Sequence, residues 1–242
     1  MKKSYSIIIP FRDREEHLQI LLPQLHTDFT GTNYEIIVAE QTDNFRFKKS
    51  SLFNLAIPRT DGDILVFHDV DYVNSRHIKN SYFHTEPTDK VAFLPVRTVV
   101  FVDEHLIVKH KNDIPSGYRH FKDGVDNDFF GGVIMMTRNM FDSIGGFNPY
   151  YNGWGLEDAD ARERILLNGF EYVRGVGDFM ALSHTDSNPG LSDAGFMTNQ
   201  ILFNNRKELL KIGSKNTTGD VKKVDEISGI KWLKISNMGM CQ

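Results

Sequence analysis

The sequence predicts a single α/β domain with a mixed central sheet, and three observations support this fold class. Two short apolar segments rich in β-branched residues, at 5–9 and 35–39, have the character of buried strands. Between them, leucines recur at three- and four-residue steps from Leu18 to Leu25, which is typical of a helix. Strand, helix and strand in this order form the unit of a parallel sheet, whereas the later strands have a mixed pattern.

The remaining elements follow from local patterns. A second helix is predicted at roughly 48–59, with Pro58 weakening its end, and it leads to a strand at 63–68. The later predictions, in chain order, are a strand at 91–94, an antiparallel pair within 98–108, a strand at 130–137, helices at 158–167 and 199–211, and a closing hairpin within 221–236.

Composition places the chain among ordinary globular proteins and argues against a nucleic-acid partner. Of its 242 residues, 40% are hydrophobic and 25% are charged, which suffices for one sizeable core. The formal net charge of −4 leaves no basic stripe that would neutralise a phosphate backbone. We interpret the two lysine pairs, Lys48-Lys49 and Lys222-Lys223, as solvated surface.

Cysteine use and hydropathy bear on the cellular setting. The only cysteine is Cys241, so a disulfide within the chain is impossible, and a reducing compartment fits this composition. The apolar run at 7–9 is too short for a signal sequence or a membrane-spanning helix, and no later run is long enough. We therefore expect no transmembrane segment.

Two acidic residues, Asp69 and Asp71, directly follow the strand predicted at 63–68. Open α/β sheets bind ligands at the carboxyl ends of their strands, where these side chains emerge. Residues two apart in extended chain point the same way, so both carboxylates are able to converge on one hard divalent cation. Acids after a strand also commonly cap a loop, and this pattern alone does not decide between the two interpretations.

A glycine-rich aromatic loop at 150–156 runs directly into the carboxylates of Glu157, Asp158 and Asp160. Such a loop presents a flat apolar surface suited to a sugar face, beside an acid able to take a hydroxyl proton. The same acids also suit the positive N-terminal end of the helix predicted at 158–167. The two interpretations are compatible.

Arginine and histidine residues provide further candidates for ligand binding. Arg12 and Arg14 follow the first strand and would hold a diphosphate by forked hydrogen bonds, although pairing with neighbouring acids is equally open. His184 follows the second half of the predicted sheet, and imidazole suits manganese, although a surface or core histidine is the commoner case. The sequence contains neither a Walker loop nor a dinucleotide fingerprint, so phosphate binding has to come from metal and arginine.

Four blocks of the sequence stand in a characteristic order: Pro10-Phe11-Arg12-Asp13-Arg14-Glu15-Glu16-His17-Leu18, Phe53-Asn54-Leu55-Ala56, Asp69-Val70-Asp71, and Phe130-Gly131-Gly132-Val133 through Gly145-Gly146-Phe147 to Trp154-Gly155-Leu156-Glu157-Asp158. This set resembles the β-1,4-galactosyltransferase family and its bacterial chondroitin-type relatives. His184 and residues 225–231 match more loosely. The resemblance implies the GT-A nucleotide-sugar transferase fold, with a parallel Rossmann-like N-terminal half. It implies one glycosyltransferase domain, 1–242, with a nucleotide-binding half at 1–95 and an acceptor and catalytic half at 96–242.

The resemblance also implies a UDP-sugar donor, either UDP-galactose or UDP-N-acetylgalactosamine, together with manganese or, alternatively, magnesium. Asp71 and His184 would be the metal ligands. The residues that it assigns to the uridine diphosphate pocket are Pro10, Phe11, Arg12, Arg14, Phe53, Asp69 and Val70. Within this set, Phe53 would pack on the uracil and Asp69 would support the ribose or the metal.

For catalysis, the resemblance implies that Asp158 is the base and that Glu157 holds sugar hydroxyls. Trp154 would lie against both sugars. The other residues implied in substrate binding are Gly155, Phe129, Gly131 and Gly132. In this scheme the metal and two arginines stabilise the leaving diphosphate, while Asp158 removes the proton of the attacking hydroxyl. Attack from the opposite face inverts the anomeric carbon.

The chain departs from the family pattern at three positions that bear on ligand binding. Leu55 stands where the family commonly has a basic residue, so one polar contact to the nucleotide is in doubt. Ala181 replaces a methionine metal ligand, which leaves either fewer protein ligands or Met180 as a substitute. Phe129 replaces a tyrosine that borders the C2 substituent of the donor sugar, so the choice between galactose and N-acetylgalactosamine stays open.

Three functions are compatible with these residues. The first is an inverting glycosyltransferase that acts on a saccharide or glycolipid acceptor in bacterial surface glycan synthesis. The second is a phosphohydrolase with Asp69 as nucleophile and Asp71 as acid, and the third is a non-catalytic sugar-nucleotide or glycan-binding module. Animal family members are Golgi membrane proteins with a stem and anchor. For this chain we expect a cytoplasmic protein, with peripheral contact at the inner face of the membrane.

Overall fold

The computed structural model describes residues 3–75, 80–102, 118–120, 129–153, 155–182, 194–205 and 217–239. The strands in these ranges are β1 (Ser4–Phe11), β2 (Asn33–Gln41), β3 (Ile64–His68), β4 (Tyr72–Asn74), β5 (Val91–Val102), β6 (Tyr118–His120), β7 (Val133–Thr137), β8 (Glu171–Leu182), β9 (Asp220–Ile227) and β10 (Ile230–Ser236). The helices are α1 (Glu15–Asp28), α2 (Lys49–Ala56), α3 (Arg138–Ser143), α4 (Glu157–Leu167) and α5 (Ala194–Asn204).

All the described strands belong to one mixed sheet, in the order β4-β8-β5-β7-β3-β1-β2-β10-β9, with β6 paired to β5. β1 pairs in parallel with both β2 and β3, which confirms the parallel N-terminal part. β7 runs antiparallel to β3 and β5, so the sheet becomes mixed, as predicted. β10 pairs in parallel with β2, and strands from the sequence ranges 1–95 and 96–242 therefore share the sheet.

Two apolar layers cover the two faces of the sheet, and the alternation along β1 decides which side chain enters each layer. Ile8 enters the layer that contains α2 and α4, whereas Ile7 and Ile9 enter the layer that contains α1. All three isoleucines are fully buried, and each contributes roughly 2 kcal/mol relative to an exposed side chain. Because helices cover both faces, a polar ligand reaches this sheet at the ends of its strands.

The structure corrects the predictions for the later strands. The strand predicted at 91–94 and the first part of the pair predicted at 98–108 form the single strand β5, whose antiparallel partner is β6. Residues 103–108 lie outside the described residues. β8 was not predicted because Gly175 and Gly177 interrupt its apolar pattern. A Cβ at these glycines would lie 2.9 and 2.6 Å from the Pro95 carbonyl oxygen, so glycine allows β5 and β8 to pair closely.

The structure contains the predicted helices and hairpin, with different bounds for two of the helices. The helix predicted at 48–59 is divided into α2 and a short 3-10 turn, Ile57–Arg59, because Pro58 has no N–H to continue the α-helical ladder. The helix predicted at 199–211 begins earlier, as α5, and residues 206–211 lie outside the described part. β9 and β10 form the predicted hairpin. None of the described helices is both long and apolar enough to cross a membrane.

Candidate active site

One ammonium group joins three carboxylates at the carboxyl ends of the parallel strands. The Nζ atom of Lys49 lies 2.9 Å from Asp69 Oδ2, 3.0 Å from Asp158 Oδ2 and 3.3 Å from Glu157 Oε1. Lys49 begins α2, Asp69 follows β3, and the other two acids begin α4. Three elements therefore meet at Lys49, and their four charged side chains are between 10% and 20% exposed.

The second acid of the Asp-x-Asp pair lies in the same cleft. Asp71 faces Arg14, with 3.6 Å between Oδ2 and the guanidinium. The buried hydroxyl of Tyr72 is within electrostatic reach of Asp71, Asp69 and Asp158, and burial followed by these charges raises its pKa well above the ordinary value. The two acidic positions predicted separately from the sequence, after β3 and at the start of α4, therefore converge.

The interpretation of Lys48-Lys49 as solvated surface is wrong. Lys48 is 2% exposed, and its ammonium donates to the carbonyl oxygen of Gly239, while Lys49 lies within the carboxylate cluster. The second lysine pair behaves as predicted, because the side chains of Lys222 and Lys223 are 53% and 63% exposed. Hydrogen bonds and ion pairs with nearby acceptors and acids, rather than solvation, offset the cost of burying the first pair.

Burial and mutual repulsion raise the pKa values of Asp69 and Asp158. Burial raises the pKa of Asp69 to about 6, which Lys49 opposes and Asp71 reinforces. Burial raises the pKa of Asp158 well above its ordinary value, against the attraction of Lys49 and with the repulsion of Glu157 and Asp69. Burial lowers the pKa of Lys49, but attraction by these three acids outweighs that effect and raises the pKa well above its usual value. Lys49 is therefore the permanent cation of the site.

Two consecutive glycines before β7 allow the chain to pass close to this cluster. A Cβ at Gly131 would lie 2.5 Å from Asp158 Oδ2. Gly132 has a φ of +73°, and the Tyr72 ring occupies the space where its Cβ would lie. The Gly132 carbonyl oxygen accepts a hydrogen bond from the Asp69 N–H at 2.8 Å. The ring of Phe129 stacks on Tyr72 at 6.4 Å. Gly131 and Gly132 thus lie next to Asp158 and Tyr72, with Phe129 stacked on Tyr72, and the predicted roles of all three in substrate binding stay predictions.

The start of α4 leaves two acid oxygens without a partner. Gly155 and Leu156 have φ values of +98° and +74°, and a leucine in this left-handed region is strained. This turn places Glu157 and Asp158 in the first turn of the helix. Glu157 Oε2 and Asp158 Oδ1 are buried, and neither has a hydrogen-bond partner among the residues that the structure describes. Unsatisfied buried oxygens of this kind indicate that an external donor, such as a hydroxyl group, completes the site.

The two arginines after β1 have partly exposed side chains. Arg12 donates to the carbonyl oxygen of Phe45 at 2.6 Å and lies over the ring of Phe47 at 5.4 Å. Arg14 reaches Asp71. The side chains of Arg12 and Arg14 are 28% and 27% exposed, so their guanidinium groups are accessible to an anionic ligand.

Comparison with known proteins assigns the chain to a family. Residues 1–83 match the family model described as the N-terminal region of glycosyl transferase group 7, and residues 118–185 match that described as the N-terminal domain of galactosyltransferase. Human β-1,4-galactosyltransferase 4 is 30% identical over 189 residues, which cover 74% of this chain and 48% of the relative. The chain belongs to the β-1,4-galactosyltransferase family. β-1,4-Galactosyltransferase 5 of Sus scrofa is 32% identical over 181 residues, or 72% of this chain and 40% of that protein.

The chain thus spans about half the length of the curated galactosyltransferases it matches.

Solved structures establish its fold. The catalytic domain of Drosophila β-1,4-galactosyltransferase 7, in complex with xylobiose, is 21% identical, with coverage of 97% of this chain and 94% of that chain and a TM-score of 0.68. A Pyrobaculum calidifontis mannosyltransferase with GDP-Man and Mn²⁺ has 12% identity, 88% and 66% coverage and a TM-score of 0.50. The galactosyltransferase family chain described here has the GT-A fold.

Several residues assigned to the nucleotide pocket of a galactosyltransferase lie in the apolar core. Phe11 is 2% exposed and packs edge-on against Trp232, and Val70 is 5% exposed. Pro10 is also buried. Phe53 is 1% exposed and packs in an aromatic cluster with Phe67 and Phe147. Their predicted roles stay predictions, and the packing of Phe53 counts against its contact with uracil.

The predicted metal site is only partly described. Asp69 and Asp71 supply the oxygen donors that manganese or magnesium accepts, so the residues present fit a divalent cation in donor type. Leu182, the last residue of β8, donates its N–H to the Asp71 carbonyl at 2.8 Å, two residues before His184 in the sequence. His184 and Trp154 lie outside the described residues. Among those described, no group of three or more His, Cys, Asp and Glu side chains is arranged to hold a metal ion.

The packing of Met180 counts against it as the substitute metal ligand considered for this member of the galactosyltransferase family. It is 7% exposed and packs in a small apolar cluster with Val73, Val100 and Leu182. Ala181, which replaces the family methionine, is 3% exposed and belongs to the core. The protein ligands expected for the metal are therefore fewer than in the family pattern.

Sequence reasoning missed two residues of the site, Lys49 and Tyr72. Lys49 had a usable signal: it stands four residues before the buried Phe53 and therefore shares the inward face of α2. Its ammonium lies 6.0 Å from the Phe53 ring centroid. Tyr72 had no signal beyond its position next to Asp71, because its contact with Gly132 joins segments sixty residues apart.

Proposed function

We propose that this chain is an inverting, metal-dependent glycosyltransferase that moves galactose from UDP-galactose to a hydroxyl of a saccharide acceptor. The observation that carries the proposal is the cluster in which Lys49 joins Asp69, at the end of β3, to Glu157 and Asp158. Family membership supports it, and a mutant of the Drosophila relative was solved with manganese, UDP-Gal and xylobiose.

Asp158 is the base of the proposed reaction. Its Oδ1 atom is buried and has no partner among the described residues, so no described donor competes with the hydroxyl of an acceptor sugar. The hydroxyl oxygen forms a bond to the anomeric carbon as the bond from that carbon to the diphosphate breaks, and the hydroxyl proton passes to Asp158. The bonding pair leaves with UDP. Attack opposite the leaving group inverts the anomeric carbon, and no covalent enzyme intermediate is needed.

The donor side uses the exposed guanidinium groups. Arg12 and Arg14 hold the diphosphate by forked hydrogen bonds, and Arg14 then shares its charge between the phosphate and Asp71. Asp71 and His184 would hold the cation, and Asp69 would support it. When bound, manganese or magnesium neutralises the negative charge of the leaving diphosphate. Glu157, whose Oε2 atom also has no partner in the part of the chain that the structure describes, orients a sugar hydroxyl.

The sugar and the cellular setting are finer proposals. UDP-galactose is the first choice of donor, and UDP-N-acetylgalactosamine is the alternative because Phe129 offers no hydroxyl to the C2 substituent. We propose a saccharide or glycolipid acceptor in bacterial surface glycan synthesis, and a cytoplasmic enzyme with peripheral contact at the inner membrane face. The single cysteine is compatible with that reducing compartment. Loss of the gene should truncate a surface glycan, and an unchanged glycan profile would contradict this setting.

The decisive experiment compares Asp158→Asn with the parent across a panel of UDP-sugars and saccharide acceptors. We expect manganese-dependent UDP binding within about twofold of the parent and a loss of transfer of about 100-fold or more, the range for removal of a general base. Asp142→Asn, a change at an exposed acid of α3, is the matched control and should transfer normally.

Other outcomes separate the alternatives. Substantial transfer by Asp158→Asn would remove Asp158 as the base. Phosphate release from simple monoesters that disappears in Asp69→Asn would favour the phosphohydrolase. UDP-sugar that binds and stays intact with every acceptor would favour a non-catalytic module.

A further inference from the structure

Asn199 is a buried polar residue that the proposed mechanism does not use. It is 0% exposed, although α5 is otherwise poorly buried, with Met197 and Ile201 exposing 52% and 61% of their surface. Among the α5 residues with described side chains, only Gly195 and Asn199 are buried. A buried amide is costly unless its hydrogen bonds are satisfied, so its partners indicate its role.

The described partners include backbone groups of the loop that precedes α4. Asn199 Oδ1 accepts the N–H of Asn152 at 3.1 Å, and Asn199 Nδ2 donates to the Asn152 carbonyl at 3.1 Å. The same Nδ2 donates to the Gly155 carbonyl at 3.0 Å. One side chain therefore holds the backbone on both sides of sequence position 154, where the predicted sugar-stacking tryptophan stands.

The opposite side of this loop is attached to the arginine side of the cleft. The N–H of Gly153 donates to the Phe47 carbonyl at 2.8 Å, and Arg12 lies over the ring of Phe47. On the α5 side, a Cβ at Gly155 would lie 3.1 Å from the Phe196 ring. The loop is thus held between the segment before α2 and the helix α5.

The loop itself has little conformational preference. Gly153 and Gly155 have φ values of +72° and +98°, and glycine adopts many other conformations at small cost. Without its external hydrogen bonds, a loop with two such glycines would sample many states, and the entropy of ordering it would reduce saccharide binding.

We propose that Asn199 is a positioning residue that fixes the backbone of Asn152 and Gly155 for recognition of the acceptor saccharide. The saccharide in this proposal rests on the proposed transferase function. The contact between Asn199 and the loop backbone does not depend on that function. Asn199 touches no reacting atom. It acts through the backbone of Asn152 and Gly155, so its effect falls on acceptor binding rather than on the base.

The experiment combines hydrogen exchange with steady-state kinetics. In Asn199→Ala, exchange of the Asn152 amide should accelerate at least about tenfold, the acceptor KM should rise about tenfold, and the donor KM should change less than about twofold. Asn199→Asp keeps the oxygen that accepts from the Asn152 N–H but loses both hydrogen bonds that Nδ2 donates. Protection of the Asn152 amide from exchange should therefore survive in part, and the acceptor KM should lie between those of the parent and Asn199→Ala. Asn205→Ala is the matched control, because that amide bonds the Ile201 carbonyl of its own helix.

Each outcome decides one point. Unchanged Asn152 exchange in Asn199→Ala would overturn the bracing contact. Faster exchange with an unchanged acceptor KM, or an equal rise in both KM values, would overturn the positioning role. A parent protein that transfers no sugar at all would contradict the proposed function, while the exchange measurement would still decide whether Asn199 holds the loop.

Discussion

A buried ammonium beside three carboxylates changes what each carboxylate is able to do. Lys49 is the described cation that contacts Asp69, Glu157 and Asp158 together, and it opposes the burial that raises the pKa of Asp158. Without it, Asp158 would hold its proton more tightly and would be a poorer base at neutral pH. The same contacts fix the relative positions of β3, α2 and α4.

We expect Lys49→Met to lower the free energy of unfolding by about 3–5 kcal/mol, because removing one partner leaves buried carboxylates uncompensated. The measurement is urea unfolding at pH 7. Lys222→Met, at a side chain that is 53% exposed, should change stability by less than about 0.5 kcal/mol. If Lys49→Met unfolds at the same urea concentration as the parent, the cluster contributes nothing to the fold.

At the scale of secondary structure, α4 presents the proposed base, and a buried ion pair fixes this helix. Arg164 Nε lies 2.6 Å from Asp160 Oδ2, with side chains 1% and 0% exposed. Asp160 also accepts the hydroxyl of Tyr151 at 3.3 Å, and Arg164 reaches the Ile144 carbonyl at 3.5 Å. These bonds join the helix to the preceding loop one turn after Asp158.

We expect Arg164→Met to destabilise the protein by about 3–5 kcal/mol, because Asp160 would remain buried without its partner. The double variant Asp160→Leu with Arg164→Met should recover at least half of that loss, since it removes both charges. Thermal and urea unfolding of both variants test this expectation. A double variant less stable than Arg164→Met would show that the other hydrogen bonds of Asp160 matter more than its charge.

The elements that the sequence predicts well are those with a clear period. β1, β2 and β3 are short, β-branched and bounded by breakers, and α1 shows its leucine stripe, so each is readable locally. β8 is not readable from its local sequence, because Gly175 and Gly177 are explained only by the close approach of β5. That approach is a tertiary contact, and no local pattern encodes it.

The candidate site also contains some residues that local patterns predict and others that depend on tertiary contacts. Asp69 and Asp158 were predictable as site residues. Asp69 follows a recognisable strand, and Asp158 lies at the start of a recognisable helix. The cation that joins them was not, because a lysine pair in a net-acidic chain resembles solvated surface. Asn199 lay in a segment predicted only as helix, and its role depends on a loop forty-seven residues earlier.

At the scale of the whole molecule, the end of the described chain stabilises the segment that leads to the site. β10 pairs in parallel with β2, and the N–H of Met238 donates to Asp43 at 2.8 Å. The ammonium of Lys48 donates to the carbonyl oxygen of Gly239, which follows β10. The position of Lys49 at the start of α2 therefore depends on contacts of the preceding segment, 43–48, with residues 238 and 239.

Global stability should also depend on pH through His68, a fully buried residue at the end of β3. Its Nδ1 atom lies 2.8 Å from the Asp69 carbonyl, which only accepts, so Nδ1 carries the proton and Nε2 accepts from the Tyr82 hydroxyl at 2.8 Å. Burial lowers the pKa of His68 from 6.5 to about 4, against smaller opposing effects of its bond to Asp69 and the charge of Asp71. The folded protein therefore holds this imidazole neutral.

The sign of the effect follows from linkage. The unfolded chain takes up a proton at His68 near pH 6.5, and the folded protein does so only near pH 4, so this contribution to stability is present above pH 6.5 and is lost as the pH falls. Between pH 7 and pH 5 the parent should lose about 2 kcal/mol more than His68→Gln. Urea unfolding of both proteins at the two pH values measures the difference, since the other groups titrate in both. Equal losses would mean that His68 takes up its proton as readily in the folded protein as in the unfolded chain.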